Sequence, residues 1–108
     1  MNKITNIDEV KEIISNEQLC LLYIKTAQCS VCDAVLAQTE NMLQRFPKVK
    51  SILVSLEETP RVSGEYLVFT APTLIVFFKG KEMLRESRFV VFGQFERDLE
   101  RLYEMIGK

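Results

Sequence analysis

The chain has 108 residues, 47% of them hydrophobic, which is enough for one packed core and predicts a single domain over 1–108. Its 14 lysines and arginines balance 15 aspartates and glutamates, and the net charge of -1 excludes an electrostatic footprint for nucleic acid or an anionic membrane. Histidine is absent, which excludes Cys/His metal sites and any His-based general base, and three cysteines are too few, and odd in number, for a disulfide-stapled scaffold.

The first residues, Met1-Asn2-Lys3-Ile4-Thr5-Asn6, lack the apolar run of a signal peptide. No apolar stretch approaches the roughly 18 to 20 residues that span a bilayer. The expectation is a cytoplasmic protein without a membrane partner. Lys3-Ile4-Thr5 is a candidate short edge strand. Asn6 followed by Glu9 reads as an N-cap with a capping-box partner, and Ile7, Val10, Ile13 and Ile14 recur at helical spacing, so a first amphipathic helix ends near Asn16. Leu19 to Ile24 is apolar on both alternating faces, the pattern of a central strand covered on both sides. Within it Cys20 reads as a small core hydrophobe rather than a redox group.

Val31, Ala34, Val35, Met42 and Phe46 follow helical steps that stop at Pro47, which predicts a helix of about four turns. Val49 to Leu56 is a β-rich run bounded by Pro47 and by Glu57-Glu58-Thr59-Pro60, and Arg61 to Phe69 has apolar residues for a short helix interrupted by Gly64. Thr73 to Phe78 follows Pro72 and ends at Lys79-Gly80-Lys81, a polar turn, with Met83 to Val91 as the returning strand. Phe95, Leu99, Leu102, Tyr103 and Ile106 form the apolar stripe of a terminal helix whose charges are a solvated face. The order (β)αβαβ(α)ββα implies an α/β fold, with parallel strands joined by right-handed crossovers and an antiparallel edge.

One stretch carries chemistry: Lys25-Thr26-Ala27-Gln28-Cys29-Ser30-Val31-Cys32, between the central strand and the second helix. A dithiol couple needs two sulfurs close enough to bond and one of them ionised near neutral pH, and a helix N-terminus stabilises such an anion. With Cys29 expected at the N-cap and Cys32 one turn inside, Cys29 is the candidate nucleophile and Cys32 the resolving thiol. Lys25 is the nearest cation in sequence and Asp33 the nearest anion, with opposed effects on that thiol. A zinc reading fails on ligand count, because a structural site wants four and Cys20 sits in a strand. Two incidental cysteines are the remaining alternative, against which the βαβ context argues.

These motifs, Cys29-Ser30-Val31-Cys32 after an apolar strand and Thr70-Ala71-Pro72-Thr73-Leu74-Ile75-Val76-Phe77 before another, resemble the thioredoxin family over nearly the whole length. The resemblance implies a thioredoxin fold, a central mixed sheet of four to five strands flanked by helices on both faces. It also implies that Pro72 forms a cis peptide facing the cysteines and that the backbone of Ala71 pairs with the bound substrate chain; read alone, Pro72 is an ordinary strand-starting proline. The activity implied is thiol-disulfide exchange with a protein or small-molecule disulfide. An unidentified dithiol would be the electron donor, and no cofactor is implied beyond the Cys29–Cys32 disulfide. Four positions depart from the family pattern: its buried acid falls at Tyr23, its buried lysine at Leu53, its groove glycine at Arg88 and its helix-kinking proline at Ala37, and tryptophan is absent. The lost charges leave a second reading open, a binding or adaptor module that recognises an extended chain at Ala71, and a third, a redox sensor.

Overall fold

In the computed structural model, which describes residues 1–106, the chain runs β1 (Asn2–Lys3), α1 (Ile7–Asn16), β2 (Leu19–Lys25), α2 (Cys32–Leu43), β3 (Lys50–Ser55), α3 (Arg61–Tyr66), β4 (Thr73–Phe78), β5 (Lys81–Ser87) and α4 (Phe92–Tyr103). The five strands form one sheet in the order β1-β3-β2-β4-β5. β1 and β2 lie parallel to β3, whereas β4 is antiparallel to β2 and β5 to β4. This is the mixed α/β sheet expected from the order of elements, with the hairpin at one edge.

The central position of β2 follows from its sequence, since only a strand covered on both faces can be apolar at every position. Cys20, Leu22 and Ile24 face one core with Ile7, Val10 and Ile14 of α1 and Val62 of α3. Leu19, Leu21 and Tyr23 face the other, with Met42 of α2 and Phe95, Leu99 and Leu102 of α4. Each such aliphatic or aromatic side chain, fully buried, contributes about 1.5–3 kcal/mol. The alternation of β2 therefore fixes which helices lie on which side.

Element ends differ from expectation for local reasons. The first strand is Asn2–Lys3, one residue earlier than Lys3-Ile4-Thr5, because Asn2 and Lys3 pair with Ile52 and Leu53. Asn6 does cap α1, its side chain accepting the N–H groups of Asp8 and Glu9. The stripe expected to continue to Phe46 ends as helix at Leu43, where the chain tightens into i→i−3 bonds from Gln44, Arg45 and Phe46, and Phe46 still packs into the core. The return strand stops at Ser87 rather than Val91, because Arg88 turns to φ +67°. α4 starts at Phe92, three residues before its first buried side chain, Phe95.

Candidate active site

The strand directions bring four loops to one end of the sheet. Lys25, the last residue of β2, pairs with Ser55, the last of β3, while Ile24 lies opposite Thr73, the first of β4, and Thr73 opposite Ser87, the last of β5. The loop carrying Cys29 is thus flanked by the loop after β3 on one side and by Ala71-Pro72 on the other, with Arg88 beyond. A cleft of about 320 Å³ lined by Asn6, Ile7, Thr59 and Arg61 lies on the β1–β3 side of this end and includes neither cysteine.

Cys29 and Cys32 are joined by a disulfide, with Cα atoms 5.4 Å apart. Cys29 is half-buried, whereas Cys32 is 2% exposed. The expected N-cap position of Cys29 is corrected: Val31 is the N-cap, at φ −107° and ψ −7°, with its carbonyl accepting the Val35 N–H at 3.0 Å, and Cys32 is the first helical residue. The bend over residues 30 and 31 spends the turn that would have begun the helix at Cys29. Cys29 therefore lies in the approach to the helix, three residues ahead of its first turn.

Tyr23 occupies the floor of the site. Its side chain is fully buried on the α2/α4 face, and its hydroxyl donates to the carbonyl of Cys32 at 2.6 Å. Burial, and secondarily the carboxylate of Asp33, push its ionisation up to about 12, so the phenol stays a neutral donor. Leu53 lies directly opposite Tyr23 in the β2–β3 register and in the same core. The two positions at which the family pattern has an acid and a lysine are thus cross-strand neighbours, filled here by a phenol and an aliphatic chain. Cys20 points into the opposite core, 0% exposed, and burial pushes its thiol up to about 12, as suits a packing residue. Ala37 is exposed on α2.

Two residues not singled out in the sequence hold the loops. Glu57 accepts the N–H of Ala27 with both carboxylate oxygens, at 3.2 and 3.1 Å, and the hydroxyl of Ser55 at 2.9 Å. The Ala27 N–H, then the Ser55 hydroxyl, hold this carboxyl below its ordinary range. Arg85 of β5 donates to the carbonyls of Tyr66 at 2.6 Å and Leu67 at 3.1 Å, and is itself gripped by Glu82. It thereby caps α3, which ends with Leu67 in the left-handed conformation at φ +53°. The signal for Glu57 was topological, since in a parallel pair the residue after one strand lies beside the loop after the other. Arg85 had no sequence signal, because its partners are backbone carbonyls.

The Ala71–Pro72 peptide is cis, Pro72 is buried and Ala71 half-buried. The Pro72 carbonyl accepts the N–H of Arg88 at 2.8 Å, and Thr73 Oγ1 donates to the Thr70 carbonyl at 2.8 Å. Among the described residues, Ala71 makes no backbone hydrogen bond within the chain.

No protein-family model matches the chain. It is 35% identical over 105 residues to the thioredoxin-like protein YdfQ of Bacillus subtilis, an alignment covering 97% of this chain and 94% of that protein. Among solved structures, the thioredoxin of Trypanosoma brucei brucei superposes with a TM-score of 0.84 at 19% identity, covering 94% of this chain and 89% of that one. The oxidised mitochondrial thioredoxin 3 of Saccharomyces cerevisiae superposes with a TM-score of 0.83 at 17% identity, covering 93% and 94%. With a close disulfide-capable pair at the end of the central strand, a cis proline in the adjoining loop and this similarity over nearly its whole length, the chain belongs to the thioredoxin-like family.

Proposed function

We propose that the protein is a thiol-disulfide oxidoreductase that exchanges the Cys29–Cys32 dithiol and disulfide with a protein or small-molecule disulfide. The observation that carries this reading is the asymmetry of the pair, with a half-buried Cys29 bonded to a nearly inaccessible Cys32. In the reducing direction the Cys29 thiolate attacks one substrate sulfur, forming a mixed disulfide and expelling the other sulfur as a thiolate. The Cys32 thiolate then attacks Cys29, closing the internal disulfide and releasing the second substrate thiol. Two electrons pass to the substrate, and an external dithiol restores the pair. The unpaired backbone of Ala71, next to Pro72, is the place for the client chain. A cytoplasmic setting belongs to the same proposal and is supported by the small, odd cysteine count.

The test is disulfide reduction by the wild type and by Cys29→Ser and Cys32→Ser. Loss of all activity in the first, with stable mixed disulfides trapped in the second, is the expected result. Turnover that survives in Cys29→Ser ends this assignment of roles.

A second reading, a binding module that uses the same loops without efficient turnover, is favoured by the Tyr23–Leu53 pair, which holds no proton that titrates near neutral pH beneath Cys32. It predicts partner capture that is unchanged when both cysteines are serine. Capture that depends wholly on the cysteines rules it out.

A further inference from the structure

The turn after β5 puts a cation beside the Ala71–Pro72 loop. Arg88 adopts φ +67°, a left-handed backbone that disfavours any residue with a Cβ, and its N–H is tied to the Pro72 carbonyl at 2.8 Å. Phe89 folds back tightly, its N–H on the Ser87 carbonyl at 2.8 Å. The position of Arg88 is therefore set by the cis-proline loop, one residue from Ala71. Its side chain is exposed, and among the described residues it has no ion-pair or hydrogen-bond partner. Arg85, three residues earlier, is by contrast fully engaged by Glu82 and two carbonyls.

The loops at this end of the sheet expose large apolar side chains. Phe89 is 81% exposed, Phe69 76% and Val91 65%, and Val31 between the cysteines is 44% exposed. Phe69 is one residue from Thr70, which the Thr73 hydroxyl holds in the same loop as Ala71 and Pro72. Glu57 lies on the β3 side of the cysteine loop and Asp33 in the first turn of α2, while Lys25, the last residue of β2, acts on the Glu57 carboxylate. A negative client group meets Arg88 on the β5 side, whereas the carboxylates of Glu57 and Asp33 repel it on theirs.

We infer that Arg88 is a specificity-determining residue that selects disulfide-bearing polypeptides with a carboxylate beside an apolar residue near the reacting cysteine. The guanidinium fork matches a carboxylate in two parallel hydrogen bonds. The unpaired Ala71 backbone calls for an extended polypeptide rather than a compact anion, and the exposed phenyl groups supply the apolar contact. The inference rests on the oxidoreductase reading for its chemistry, but not for its recognition.

The test uses two synthetic disulfide peptides, each with phenylalanine next to the cystine, that differ only in Glu against Gln at the following position. kcat/KM for their reduction is measured, and, independently of turnover, their binding to the oxidised protein by fluorescence anisotropy. The wild type is expected to favour the Glu peptide by about two- to five-fold at low salt in both measurements, the scale of an exposed ion pair. The preference is expected to fall to one in Arg88→Gln and near 1 M salt, to survive in Arg88→Lys, and to invert in Arg88→Glu. Equal binding of both peptides to the wild type, or a preference retained by Arg88→Gln, overturns the inference. If neither peptide is reduced, the oxidoreductase reading fails alone, and the binding ratio still decides the role of Arg88.

Discussion

Replacing Tyr23 by phenylalanine removes one oxygen and leaves the ring in its packing place. The lost contact is the 2.6 Å hydrogen bond to the Cys32 carbonyl, fully buried on the tyrosine side. Because Cys32 is the first helical residue, its carbonyl retains its place in the α2 ladder and loses only a second partner. The cost is then the net worth of one hydrogen bond, about 0.5–1.5 kcal/mol, rather than that of an orphaned carbonyl. For a domain of this size that is a fall in Tm of roughly 4–8 °C per kcal/mol.

The pH dependence sharpens the test. Burial and Asp33 raise the ionisation of Tyr23 from 10.0 to about 12 in the folded protein. A group raised on folding gives stability that is fully present below its unfolded value and lost as pH climbs through the folded one. Wild type therefore loses stability at this position between about pH 10 and 12, and Tyr23→Phe does not. Urea unfolding of the oxidised proteins, followed by circular dichroism, should show a gap of about 1 kcal/mol at pH 7 that narrows above pH 10. A gap that stays constant or widens would refute the reasoning, as would equal stability at pH 7.

Cys20 gives a second alkaline signature. Its thiol is raised from 9.0 to about 12, first by burial and then by Glu17, so its stabilising share is lost between about pH 9 and 12. Cys20→Ala should cost about 1 kcal/mol at pH 7 through lost packing, yet flatten that alkaline decline, as read by urea midpoints across the range. Glu57→Ala should lower the amide-exchange protection factor of Ala27, and because the Glu57 carboxyl is depressed on folding, wild-type protection there should persist above the ordinary carboxylate range and fall as pH drops through the folded value. Unchanged protection in Glu57→Ala would remove its role as a loop clamp. Arg85→Met should destabilise the protein by about 1–2 kcal/mol, because Tyr66 and Leu67 lose their charged donor, and Arg85→Lys should recover less than half, lacking the planar fork. Equal stability of Arg85→Met and wild type in urea would show that solvent caps α3 equally well.

Much of this architecture is readable from periodicity. β2 betrayed its central place because apolar residues at every position are tolerated only between two helical layers, and α1 announced itself through Asn6 and the Ile7-Val10-Ile14 face. The dithiol and the proline were also visible, since each is a residue type with few alternatives at such a spacing. The register of helix α2 was not. Whether a helix opens at Cys29 or at Cys32 depends on a bend at Ser30 and Val31 that neither residue type demands. Nor did composition reveal the end of β5, where Phe89, Val90 and Val91 continue a β-like pattern past a left-handed Arg88. Glu57 and Arg85 escaped for a different reason: their partners are backbone atoms of other loops, and backbone atoms have no sequence.

The neutral pair Tyr23 and Leu53 bears on the electrochemistry of the proposed couple. Below Cys32 lies a phenol that ionises only near 12 and, across from it, a leucine; the buried polar side chains elsewhere, among the described residues, are Thr39, Ser55, Thr59 and Thr73, and the chain has no histidine. Between about pH 5 and 9 no interior group beneath the sulfurs changes charge. The midpoint potential should then follow the plain proton count of the thiols, falling by about 59 mV per pH unit while one proton accompanies each electron. Its slope should break only where the cysteines themselves ionise, so a potential-against-pH curve becomes a direct titration of Cys29 and Cys32, uncontaminated by a neighbour.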